Sequence, residues 1–86
     1  MTPDEIADLL SDENPSALLA DGFEDAFVGV ARRCGQPTLA VYDYDKGLEV
    51  LMQRDGMTYV DAVEWMGFNV LGAWAGENTP VWIETP

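Results

Sequence analysis

The first apolar positions fall at helical spacing. Ile6, Leu9 and Leu10 form an i, i+3, i+4 stripe, with Asp4, Glu5, Asp8 and Asp12 on the opposite side. Thr2 stands where a cap is needed, Pro3 suits the first helical position, and Glu5 completes a T-x-x-E capping box. Asn14-Pro15 ends this helix, because the residue before a proline is steered out of the helical region. The apolar patch from Ser16 to Gly22 reads as one helical turn or a connector. A second helix is predicted from Phe23 to Cys34. Phe23, Ala26, Phe27, Val30, Ala31 and Cys34 share a face, Glu24 and Asp25 stand in its first turn, and Arg32 and Arg33 in its last. Gly35 and Pro37 close it, and Gly29 marks a close helix contact within it.

The second half alternates differently. Thr38 to Tyr42 is a short β-rich run and predicts a strand. A third helix is predicted from Tyr44 to Arg54, with Leu48, Leu51 and Met52 inward and Gly56 as its stop. Thr58, with Asp61 three residues on, opens a fourth. Val63, Met66 and Val70 make its stripe, with Tyr59, Ala62 and Trp74 nearby, and Gly67, Gly72 and Gly76 weaken or end it. "PVWIE", 80–84, predicts a final strand. The two strands are distant in sequence and pair only if the third and fourth helices pack against them. The expected fold is α+β: about four short helices and a small two-stranded sheet. A chain of 86 residues has room for one core, so a single domain over 1–86 is expected.

Charge changes the picture more than composition does. Sixteen acids face four bases, a formal net charge of −12. Direct nucleic-acid binding relies on Lys and Arg displacing counterions from phosphates, and this balance argues against it. It argues equally against anionic membranes and in favour of a basic partner. The first 25 residues hold Asp4, Glu5, Asp8, Asp12, Glu13, Asp21, Glu24 and Asp25 and no base. Along the first helix the acids recur about one turn apart, within about an ångström or two of the spacing of a phosphate backbone. These eight are the candidate partner-binding residues; the plainer reading is a solvated helix face.

The sequence offers little catalytic chemistry. It has no histidine, which removes the commonest general base and metal ligand. The lone Cys34 excludes an intramolecular disulfide and a cysteine zinc cluster, and it reads as a small buried residue. No basic, apolar leader is visible at the N-terminus, and no run of 18 apolar residues suggests a membrane span. Asp43 and Asp45, at the end of the first strand, resemble the first motif of haloacid-dehalogenase-type phosphotransferases. That chemistry also needs a Ser or Thr on a second strand, a remote Lys, further acids and a Rossmann-like sheet, for which the chain is too short. Asp43 or Asp45 as a helix cap is the preferred reading. No catalytic residue, metal or cofactor is expected. Trp65, Trp74 and Trp82 read as core; a partly exposed tryptophan among acids would point to protein binding.

Residues 40–84 resemble a family of small acidic phage and prophage proteins. The likeness is carried by Y-D-Y-D-K at 42–46, R-D-G-M-T-Y at 54–59, Ala62-Val63-Glu64, and N-V-x-G-A-W-x-G-E-N-T-P at 69–80. Gly47 departs from it, since the family favours a larger residue or Cys there. The resemblance implies a viral or mobile-element origin, action in the cytoplasm of a bacterial host cell, and no established enzyme chemistry. The expected function is a non-enzymatic protein-binding module: an acidic inhibitor that mimics nucleic acid on the basic surface of a host nucleic-acid-binding defence protein, such as a CRISPR effector. The alternatives are an accessory or structural interaction protein of a phage and, more remotely, a small Asp-x-Asp phosphotransferase.

Overall fold

The computed structural model describes residues 2–86. Local capping sets most of its helices. Helix α1 spans Pro3–Ser11 and carries the full capping box: the Thr2 hydroxyl accepts the Glu5 N–H, and the Glu5 carboxylate accepts the Thr2 N–H. Helix α2 spans Tyr44–Arg54 and helix α3 spans Tyr59–Met66, capped by Asp43 and Thr58 respectively. A π-helical turn, Gly67–Leu71, extends α3.

The predicted second helix is absent. Phe23 leads instead into a 3₁₀ turn, Glu24–Ala26, and then into strand β1, Phe27–Ala31. Strand β1 pairs antiparallel with β2, Leu39–Asp43, and β2 pairs parallel with β3, Val81–Ile83. The sheet therefore has three strands in the order β1-β2-β3, not two. The misreading has a definite cause. A bulge between Phe27 and Gly29 places Val28 outside the register, and Gly29 takes a φ of +155° that strains any L side chain. The extra residue cancels the period of two. Phe27 and Val30, three apart, both pack on the core, which is the spacing of a helix face. Cys34 consequently lies in the β1–β2 connection and is exposed rather than buried. Leu9, Met52, Tyr59 and Trp74, read as inward or near the stripe, are exposed too.

The two flanking strands meet through β2. Phe27 and Trp82 are the register partners of Tyr42 on its two sides. The Tyr42 ring stacks on Trp82 at 5.1 Å and takes Phe27 edge-on at 5.6 Å. Phe23 closes the row, edge-on to Trp82 at 5.4 Å. Tyr42 is 1% exposed, and its hydroxyl accepts the Ala20 N–H at 3.0 Å. Ile6 and Leu10 from α1, Leu48 and Leu51 from α2, and Ala62 and Met66 from α3 fill the rest of the core. The helix α2 face toward Trp82 leaves no room at Gly47. A Cβ there would stand 2.7 Å from the Trp82 ring and 3.3 Å from the Met66 methyl. This contact accounts for the small residue at position 47.

Asn14 is the buried polar centre. Its amide donates to the Thr38 carbonyl and to the Asn78 side chain, each at 2.9 Å, and its oxygen accepts the Ser16 N–H. Three connections meet there: the one after α1, the one before β2 and the one before β3.

Two predictions follow from this packing. Helix propensity alone makes Gly47→Ala stabilising by about 1 kcal/mol, but the clash with Trp82 should reverse the sign and cost about 1–3 kcal/mol. Gly67→Ala, with open space around its Cβ position and a helical φ of −60°, should keep the propensity gain. Thermal melting of both variants checks the contrast, and a stabilised Gly47→Ala would contradict the packing. Burial raises the Tyr42 hydroxyl above its ordinary pKa of 10. The folded state thus holds this proton more tightly than the unfolded chain does. The associated stability is fully present below pH 10 and is lost as pH rises through the raised pKa. Tyr42→Phe should lose about 1–3 kcal/mol near neutral pH, because the Ala20 N–H is left without its acceptor. It should also show a shallower fall in denaturant stability above pH 10 than the parent.

Candidate functional site

The eight N-terminal acids lie on two stretches of backbone. Asp4, Glu5 and Asp8 are on α1, Asp12 is its C-cap and Glu13 follows; Asp21, Glu24 and Asp25 lie on the turn that leads into β1. Three of them have intramolecular work. Glu5 belongs to the capping box, and its bonds to Thr2 hold its carboxyl below the ordinary pKa. Glu13 pairs with Arg32 at 2.7 Å, which lowers the Glu13 pKa and raises that of Arg32. Glu24 accepts the Gly22 N–H at 3.2 Å. The absence of bases within residues 1–25 is therefore offset at one point by a base from outside that stretch.

The remaining five, Asp4, Asp8, Asp12, Asp21 and Asp25, are exposed and make no side-chain hydrogen bond or ion pair among the described residues. Asp4, Asp8 and Asp12 recur every fourth residue, about 6 Å apart along the helix axis. They form one exposed row opposite the buried Ile6 and Leu10. The row opposes the helix macrodipole at its far end. No base lies in the last turn of α1, and an anion at a helix C-terminus is unfavourable by about 0.3–1 kcal/mol. Helix stability therefore gives no reason for Asp12.

The Asp-x-Asp pair has a structural role. Asp43 is the N-cap of α2, and its carboxylate accepts the Lys46 N–H at 3.0 Å. Asp45 stands in the first turn, where the macrodipole favours an acid. Among the described residues no group of three or more His, Cys, Asp or Glu side chains is placed to hold a metal ion. A polar hollow of about 400 Å³ beside α2 is lined by Asp25, Lys46, Glu49 and Arg54. Arg54 is tied down within it: it donates to the Gly22 carbonyl at 2.7 Å, pairs with Asp55 through two nitrogens, and lies 5.5 Å from the Phe23 ring centroid.

The tryptophans divide. Trp82 and Trp65 pack against the core as expected, whereas Trp74 is 78% exposed. Trp74 follows the π turn, where Phe68 and Leu71 are also exposed. This surface was not among the expected binding residues. Its signal in the sequence is the run from Val60 to Trp74, which has more large apolar residues than one buried stripe uses. Among the described residues no helix is long and apolar enough to cross a membrane.

Fold and surface together define an acidic α+β domain with a carboxylate-faced first helix and a separate bare apolar face. No family model, curated protein or solved structure matches the chain.

Asp43 allows a direct test of capping against metal binding. Asp43→Ala should cost about 1 kcal/mol, and Asp43→Asn, an equally good cap, should be nearly neutral. Millimolar Mg²⁺ should leave the melting temperature of the parent unchanged. A Mg²⁺-dependent rise that Asp43→Asn abolishes would establish a metal site instead.

Proposed function

We propose that the protein is a non-enzymatic binding module of phage origin, an acidic inhibitor that presents carboxylates in place of phosphates. Its target is the basic groove of a bacterial nucleic-acid-binding defence protein, of which a CRISPR effector is one example, met in the host cytoplasm. The observation that carries this reading is the row Asp4, Asp8 and Asp12. The three are exposed at a regular spacing and have no side-chain partner among the described residues. The last of them stands where it weakens its own helix. The net charge of −12 adds long-range attraction to a basic groove. A phosphotransferase reading has less support, since the Asp43 carboxylate is spent on a backbone N–H.

The test begins with affinity capture from a bacterial lysate, followed by stopped-flow binding to the captured protein at two salt concentrations. Binding should compete with DNA or RNA for the partner, and association should slow steeply as salt rises. Asp4→Lys, Asp8→Lys and Asp12→Lys together should slow association by about tenfold or more. Circular dichroism should show the fold unchanged, since these side chains point to solvent. An unchanged rate in the folded triple variant, or a partner that binds no nucleic acid, would overturn the reading.

A further inference from the structure

We infer that the outer face of α3 and its π extension is a second docking surface, for a cationic amphipathic segment of another protein. The helix carries large apolar residues on its outer side as well as its inner one, with Asp61 and Glu64 exposed among the outer set, and it is covered on one side only. Ala62 and Met66 are fully buried. On the uncovered side Val60 is 64% exposed, Phe68 83% and Leu71 54%, and Trp74, just beyond the π turn, is 78% exposed. Four large apolar side chains within fifteen residues are exposed, a concentration of the kind that marks interaction surfaces when contiguous. The helix ends in a π turn, closed by the Gly72 N–H on the Gly67 carbonyl at 3.0 Å, and such turns recur at functional sites. Leu71 and Trp74 also line a groove of about 280 Å³ together with Leu39, Val81, Trp82 and Glu77.

Charge chooses the occupant. Residues 56–86 contain Asp61, Glu64, Glu77 and Glu84 and no base. Glu64 sits between Val60 and Phe68, one turn from each, and is exposed. The neighbouring bases are Arg32 and Arg33, which line the adjoining hollow with Glu77, and Arg32 is engaged by Glu13. A second copy of the chain would set these acids, and a charge of −12, against their equals. A segment with apolar residues on one side and Lys or Arg beside them satisfies both the bare side chains and the acids. Helix-in-groove docking has this form. The inference is independent of the mimicry proposed for α1, because it uses other residues and short-range burial.

The probes are two labelled helical peptides of equal length and charge, one of Leu and Lys and the other with Ser in place of Leu. Fluorescence anisotropy should show the Leu/Lys peptide binding about tenfold or more tightly than the Ser/Lys peptide, as apolar anchors require. Phe68→Ser with Leu71→Ser should erase that difference, and so should Trp74→Ser alone, the variant to rely on should the double one fail to fold. The Asp4, Asp8 and Asp12 reversals should weaken both peptides alike and leave the difference standing, which separates this surface from the α1 row. Equal affinity of the two peptides for the parent overturns the inference, as does a difference that survives Trp74→Ser. A parent dimer in sedimentation that Trp74→Ser dissolves assigns the face to a second copy and overturns it as well. Binding to zwitterionic vesicles that Trp74→Ser abolishes assigns the face to a lipid surface, with the same consequence.

Discussion

The aromatic row Phe27–Tyr42–Trp82 is the contact on which the rest of the structure depends. One ring comes from each strand, the three are register partners, and the middle ring is on the central strand. Aromatic pairs of this geometry add about 0.5–1.5 kcal/mol each beyond the area they bury. Their larger effect is topological. The parallel pairing of β2 and β3 closes the long excursion through α2 and α3, which a chain of this size completes at a high cost in loop entropy. Trp82 brings its return strand against Tyr42 and against Phe23, and Gly47 gives α2 the clearance to lie over that ring. Sheet, crossover and the turn before β1 thus share one anchor.

What was legible in the sequence was local. Thr2 with Glu5 and Thr58 with Asp61 are capping pairs three residues apart, and each forms as the spacing implied; of Asp43 and Asp45, both read as candidate caps, Asp43 takes the role. The strand β2 and the return strand β3 were legible for a similar reason, as short β-rich runs between breakers. The β1 strand was not. Its identity depends on pairing with residues 39–42 and on a bulge that displaces Val28, and neither leaves a periodic trace. The resulting Phe27–Val30 spacing matches a helix better than a strand. Trp74 failed differently. An apolar residue near a helical stripe is ordinarily core, and only the three-dimensional fold shows that this one is left largely uncovered. The acids of the candidate surface were visible as a count, but their division into free and engaged carboxylates was not, because Arg32 reaches Glu13 across nineteen residues.

The two exposed surfaces differ in the physics they offer. Carboxylates act over a Debye length, about 8 Å at physiological salt, and govern the rate and orientation of encounter. Bare aromatic and aliphatic side chains act at contact and govern how long a complex lasts. A small acidic domain that carries both on different residues can be steered by one and held by the other. Neither surface contributes to the core, so the stability of the fold places little constraint on either.

The acids between residues 12 and 25 stand on backbone that is largely irregular, yet that backbone is held at short intervals. Glu13 is fixed by Arg32 from the end of β1, and Asn14 by Thr38 and Asn78. The Leu18 N–H donates to the Asn78 carbonyl, the Ala20 N–H to the Tyr42 hydroxyl, and the Gly22 carbonyl accepts from Arg54. From Glu13 to Gly22 a bond to a distant part of the fold recurs at least every fourth residue. Two of the four bases in the chain are used in this way, inside the molecule. A charged loop that stayed mobile would lose entropy on meeting a partner, which lowers affinity. Fixed carboxylates avoid that loss, and two scarce arginines hold this backbone: Arg54 through the Gly22 carbonyl, and Arg32 through the Glu13 carboxylate, whose charge it offsets.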